Sequence, residues 1–163
     1  MFEAEALTLA QSVLDARRAR GWHIAIADSC TGGLVAGALT AIAGSSDVVE
    51  RGFVAYSNEA KSELLGVPSE TIAAHGSVSA ETAAVMAQGA VGRAPVDLAI
   101  SVTGIAGPGG ATPTKPVGLV FFGLARREGT YRTERHVFPG DRSAVRQAAL
   151  EAALKLLVAE ARR

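Results

Sequence analysis

The hydrophobic period changes several times along this chain, and each change marks an element. Between residues 3 and 20, Ala6, Ala10, Val13, Leu14 and Arg17 share one helical face, and Gly21 ends the helix. His23 to Ala27 predict a short apolar strand. The run stops at an acidic residue, and Asp28-Ser29-Cys30-Thr31-Gly32-Gly33 reads as a polar turn feeding a small-residue helix over Leu34 to Ile42. Ala43 to Asp47 are a loop in which Ser46 or Asp47 caps a short turn through Val49. Arg51 to Ser57 have the aromatic and β-branched content of a second strand. Asn58 then caps a helix over Glu59 to Leu65, closed by Gly66, Val67 and Pro68. A loop containing Gly76 leads to Ser79, a second cap, with Glu81 in the first turn of a helix ending near Val91.

Val96 to Val102 form the most continuous apolar strand in the middle of the chain. It exits into Thr103-Gly104-Ile105-Ala106-Gly107-Pro108-Gly109-Gly110, again polar and glycine-rich. Val117 to Ala125 and Tyr131 to Phe138 predict a β-hairpin joined through Glu128, Gly129 and Thr130. Gly140 and Asp141 open a last helix with Val145, Ala149, Ala152 and Leu156 on one face. Early alternation of strand and helix followed by a hairpin predicts an α/β protein. The expected form is a three-layer α/β/α sandwich on a mixed, mostly parallel sheet. No repeat or linker divides the sequence, so residues 1–163 are expected to form one domain.

Composition narrows the function classes. Lys plus Arg total 16 and so do Asp plus Glu, which supplies no general field for nucleic acid or a membrane surface. Neither is expected as a partner. The first twenty residues lack a signal-like apolar core and no run reaches membrane-spanning length, so a cytoplasmic protein is expected. Cys30 is the single cysteine, which excludes an intrachain disulfide and a metal site built on several thiolates. The three histidines show no zinc-like spacing, and no Ser-His-Asp set is evident.

Three features go beyond folding. Asp28 to Gly33 place a hydroxyl at a strand end beside backbone N–H groups that glycines leave accessible. Ser29 there is either a nucleophile with oxyanion donors nearby or a helix cap. Lys61 falls early in the helix after Asn58. A cation is disfavoured there, and burial would lower its pKa further, suiting a general base for serine. The other reading turns Lys61 to water beside Glu59 or Glu63. Gly140-Asp141-Arg142-Ser143, with Arg146 one turn on, puts cations at a helix start, which is either a phosphate site or a surface arginine. Gly104, Gly107 and Gly110 do not have the dinucleotide-fingerprint spacing, and Pro108 opposes a helix there, so the segment reads as a ligand-facing loop. Cys30 reads as a buried structural thiol rather than a rival nucleophile.

Taken together, these segments resemble the CinA C-terminal domain family. The match is carried by Asp28 to Gly33, Gly44-Ser45-Ser46, Arg51 to Lys61, Ser101 to Pro108 and Lys115-Pro116-Val117-Gly118, in order and over almost the whole chain. It is nearest to the family's stand-alone nicotinamide-nucleotide amidases. The resemblance implies an α/β/α homodimer that hydrolyses the carboxamide of nicotinamide mononucleotide to nicotinate mononucleotide and ammonia, in pyridine-nucleotide recycling, with no cofactor or metal. It implies a Ser/Lys pair, with Ser29 as nucleophile and Lys61 as base. Tyr56, Ser46 and Thr103 would line the site and Arg142 would hold the phosphate. Ser46 also falls in a matching motif and competes with Ser29 for the nucleophile's role. The family usually has Glu where this chain has Asp28, which keeps the charge and shortens its reach.

The expected mechanism has neutral Lys61 take the Ser29 proton while backbone N–H groups of Thr31, Gly32 and Gly33, or of Gly104 to Gly107, hold the oxyanion. Two alternatives stand beside it. One is a module that binds a nucleotide or phosphate without hydrolysis; the other is an amidase of a related small phosphorylated amide.

Overall fold

In the computed structural model, which describes residues 1–160, the chain runs α1 (Ala4–Arg18), β1 (Ile24–Asp28), α2 (Leu34–Thr40), a 3-10 turn (Ser45–Asp47), β2 (Val49–Val54), α3 (Asn58–Leu65), α4 (Ser69–His75), α5 (Ala80–Arg93), β3 (Leu98–Gly104), β4 (Leu119–Arg126), β5 (Tyr131–Val137) and α6 (Arg142–Glu160). The sheet order is β2-β1-β3-β4-β5. Strand β1 pairs in parallel with both β2 and β3, and two antiparallel pairings then add β4 and β5. Four strands therefore point one way and β4 alone runs against them. The sheet is mixed and mostly parallel, with the hairpin where the sequence places it.

The two central strands read as continuous apolar runs because helices cover both faces. On one face Ile24, Ile26, Leu98, Ile100 and Val102 pack with Val13 and Leu14 of α1, Val35 and Leu39 of α2, and Leu150, Leu154 and Leu157 of α6. The alternate residues Ala25, Ala27 and Ala99 face Leu65 of α3 and Met86 and Ala90 of α5. Those alanines let the second helical layer lie close. Helix α5 comes so near its neighbours that a Cβ on Gly89 would overlap the Leu65 carbonyl, and one on Gly123 would overlap the Ala83 carbonyl.

Two local expectations change. The cap of α3 is Ser57, not Asn58: Ser57 is extended and its Oγ accepts the Ala60 N–H at 3.0 Å, the usual reach of a cap onto the third helical residue. Helix α4 was expected as loop. It buries no residue, so it carries no apolar period to detect, and Pro68 sets its start.

Parallel strands β1 and β3 are adjacent and in register, Asp28 opposite Val102. Their carboxyl ends open together, and the connections after them diverge: β1 leads outward to β2, β3 to the hairpin. Ligands collect at such a divergence. Ser29 and Thr103 are the first residues past that register pair.

Candidate active site

Ser29 is fixed where β1 ends. Its N–H donates to the Val102 carbonyl at 3.0 Å, and its own carbonyl accepts the Gly32 N–H at 3.0 Å. The turn beyond it is organised by Asp28, which is buried. One carboxylate oxygen accepts the Thr31 N–H at 3.2 Å and the Thr31 hydroxyl; the other accepts the Gly33 N–H at 2.9 Å. Gly32 and Gly33 have φ of +63° and +93°, which a side chain would strain. Burial pushes the Asp28 carboxyl above the usual carboxylate range, opposed by the bonds from Thr31 and Gly33. The hydrogen bonds of the Asp28 carboxylate go to Thr31 and Gly33 and not to the Ser29 hydroxyl, so it shapes the turn that presents it.

Lys61 comes from α3, 32 residues later in the chain, and is 2% exposed. Its Nζ lies 3.1 Å from Ser29 Oγ and 3.1 Å from the Tyr56 carbonyl. Among the described residues no carboxylate pairs with it, so the reading that turned it toward Glu59 or Glu63 is excluded. Burial away from water, opposed only in part by Cys30, pushes the ammonium below the ordinary lysine range. A lysine so placed gives up its proton easily.

Around this pair is a cavity of about 180 Å³ lined by Ser29, Cys30, Tyr56, Lys61, Thr103 and Gly104, with Ser77, Val78, Ala106 and Arg142 completing its wall. Thr103 Oγ1 donates to the Ser77 carbonyl at 2.7 Å and so holds the segment between α4 and α5 against the site. Gly104 is glycine because a Cβ would come within 2.7 Å of Val120 Cγ2 and 2.9 Å of the Leu119 carbonyl. Arg142, the first residue of α6, spans the mouth. Its Nη1 donates to the Gly107 carbonyl at 2.8 Å and its Nη2 to the Tyr56 hydroxyl at 3.1 Å. Beyond Arg142 and Ala106 a second cavity of about 450 Å³ continues past Pro108, Val117, Asp141 and Ser143.

The structure thus brings Ser29, Tyr56, Lys61, Thr103, Gly104 and Arg142 to one cavity, with Gly107 bound to Arg142 and Thr31, Gly32 and Gly33 forming the turn behind Ser29. Ser46 is not among them within one chain. It sits in the 3-10 turn before β2, exposed, at the opposite end of the strands. Val48 beside it pairs with Ile24, the first residue of β1, so the length of β1, roughly 16 Å, separates Ser46 from Ser29. Of the two groups of N–H donors expected to hold the oxyanion, the first is occupied. The N–H groups of Thr31, Gly32 and Gly33 are all engaged, two by Asp28 and one by the Ser29 carbonyl. The amides of Cys30 and Ala106, both on the cavity wall, have no hydrogen-bond partner among the described residues.

Cys30 is buried, and burial followed by the Asp28 charge pushes its thiol up to about 12, so no thiolate forms at neutral pH. Sequence reasoning missed Ser77 and Val78, which lie in a connection whose only signal was Gly76. Ala106 falls within the Gly104 to Gly107 stretch expected to supply oxyanion donors. Among the described residues no three His, Cys, Asp or Glu side chains gather as a metal-ligand set, and no helix is long and apolar enough to cross a membrane.

The model of the CinA C-terminal domain matches residues 6–161. Nicotinamide-nucleotide amidohydrolase PncC of Escherichia coli is 49% identical over 96% of this chain and 95% of its own length. A CinA-like protein of Mycolicibacterium gilvum is 53% identical over 84% of this chain, which corresponds to 32% of that longer protein. The crystal structure of a competence/damage inducible protein from Agrobacterium tumefaciens superposes with a TM-score of 0.95 at 44% identity, over 98% of this chain and 97% of that one. By this match over residues 6–161 and these relatives, the chain belongs to the CinA C-terminal domain family.

Proposed function

We propose that this protein hydrolyses the carboxamide of nicotinamide mononucleotide, giving nicotinate mononucleotide and ammonia, as a single domain using Ser29 and Lys61. The observation that carries the reading is the 3.1 Å approach of a buried, uncompensated lysine amine to a serine hydroxyl at the divergence of two parallel strands. The similarity to the Escherichia coli nicotinamide-nucleotide amidohydrolase supports the substrate class.

Lys61 begins neutral, its Nζ donating to the Tyr56 carbonyl while its lone pair faces the Ser29 hydroxyl. Ser29 Oγ bonds to the amide carbon and its proton passes to Lys61 Nζ. The carbonyl oxygen becomes an oxyanion held by the Cys30 and Ala106 N–H groups, Cys30 being the residue directly after the nucleophile. The C–N bond then breaks, and the amide nitrogen leaves as ammonia with the proton from Lys61. Water attacks the resulting ester, losing a proton to Lys61, which returns it to Ser29 Oγ as the acid departs.

A cavity of about 180 Å³ holds the pyridine carboxamide and not the whole nucleotide. The ribose and phosphate extend past Ala106 into the neighbouring cavity, where Arg142 and the Ser143 N–H favour an anion, while the Ala144 N–H beside them is held by the Asp141 carboxylate. Anchoring the far end of the substrate orients its amide at Ser29.

Ammonia release from nicotinamide mononucleotide, measured beside calorimetric binding of the same compound, tests the reading. Release that depends on both Ser29 and Lys61 is expected. Tight binding with no ammonia refutes hydrolysis and leaves a nucleotide-binding module; release from another phosphorylated amide alone refutes the substrate.

A further inference from the structure

Arg146 has no place in the cavity wall, yet it is the side chain of α6 that grips the nucleophile's turn. Its Nη2 donates to the Thr31 carbonyl at 3.0 Å, while its Nε is buried without a hydrogen-bond partner among the described residues. The same Nη2 lies 3.5 Å from where a Cβ on Gly32 would stand, so the guanidinium packs directly against the turn. Across the turn, Asp28 holds the N–H and hydroxyl of Thr31. The Thr31 residue is therefore held at its N–H by a carboxylate and at its carbonyl by a guanidinium. This peptide stands between Ser29 and the glycine pair, and the Gly32 N–H closes back onto the Ser29 carbonyl.

We infer that Arg146 is a positioning residue for the hydrolysis proposed above. It fixes the Asp28–Gly33 turn so that Ser29 Oγ and the Cys30 N–H present the geometry the transition state needs. Arg142, one helical turn earlier, faces the mouth of the cavity, so α6 supplies both the substrate anchor and the clamp on the nucleophile's turn. The two arginines at this helix start divide their work. Arg142 serves substrate binding. Arg146 serves the alignment of attacking and stabilising groups, and its loss lowers kcat while leaving binding intact.

The inference rests on the amidase reading, and its test separates the two. Arg146→Met keeps length and apolar packing but removes the donor and charge; Arg146→Lys restores one donor and the charge. Each is compared with wild type by ammonia release, by calorimetric stoichiometry and affinity for nicotinamide mononucleotide, and by thermal midpoint. Loss of one charge-assisted bond to a carbonyl predicts a roughly 10- to 100-fold lower kcat for Arg146→Met. Its binding stoichiometry is expected to stay near one per chain, with Kd changed by less than about three-fold, since Arg146 touches no substrate. Arg146→Lys recovers most of the lost turnover. A kcat for Arg146→Met close to that of wild type overturns the inference. So does a parallel loss of binding stoichiometry in both variants, which assigns Arg146 to folding alone. A wild-type protein that releases no ammonia overturns the amidase reading itself, and the inference falls with it.

Discussion

Replacing Lys61 by Met separates what this lysine costs the fold from what it contributes to turnover. Met approximates its length and fills the same space, but removes the amine that lies 3.1 Å from both Ser29 Oγ and the Tyr56 carbonyl. Losing those two hydrogen bonds costs about 0.5–1.5 kcal/mol each. Against that stands the burial of an ammonium at 2% exposure with no carboxylate beside it, and this term dominates while the lysine is charged. The folded lysine lies below its ordinary value of 10.5 because burial disfavours the charged form. Between the depressed value and 10.5, the unfolded chain holds a proton that the folded one has released. Stability of the wild type therefore rises with pH through that window, by at most about 1.4 kcal/mol per pH unit. Below the depressed value both states are protonated and the full penalty is present. The expected result is a Met variant more stable than wild type at neutral and lower pH, with the advantage fading as pH approaches 10.5. Its turnover should fall by roughly 10²- to 10⁴-fold, the usual contribution of a general base. Urea unfolding across a pH series, beside ammonia release, measures both. A stability difference independent of pH, or turnover close to wild type, would refute the assignment of Lys61 as a desolvated base.

Further outcomes follow from the same geometry. Cys30→Ala should keep turnover within about ten-fold of wild type, and iodoacetamide at pH 8 should leave the enzyme active, since a thiol at about 12 holds almost no thiolate there. Arg142→Ala should raise KM for nicotinamide mononucleotide by about ten-fold or more and leave nicotinamide riboside, which lacks the phosphate, little affected; an equal change for both substrates contradicts the anchor. Gly104→Ala should lower stability by about 1–3 kcal/mol and Tm by several degrees, because its new methyl meets Val120 and the Leu119 carbonyl inside a paired strand. An unchanged melt would show that the strand yields there.

The architecture was legible because β1 and β3 advertise it: an apolar run covered on both faces needs no alternation, and each ends abruptly at polar, glycine-rich residues. Ser29 could be singled out from that signal. Its partner could not be placed from spacing alone, because Lys61 reaches it through the docking of α3 against α5, a tertiary event. A local clue did exist: Lys61 and Leu65, four residues apart, are the buried pair on α3, so the lysine occupies the helix's inward face. The role of Asp28 was half visible. A short carboxylate three residues before Thr31 commonly binds local backbone donors, and here that consumes two of the three N–H groups of the turn expected to hold the oxyanion. Ser46 shares a family motif with Ser29, but motif order says nothing about which end of a strand a residue occupies. Helix α4 stayed hidden because it buries nothing.

The most direct test of the central claim is the mass of the Ser29 peptide after acid quench of the enzyme during steady-state turnover of nicotinamide mononucleotide. Attack by Ser29 predicts an ester of nicotinate mononucleotide on that serine, none on Cys30, and no ammonia release by Ser29→Ala. An adduct on another side chain, or full turnover by Ser29→Ala, contradicts it.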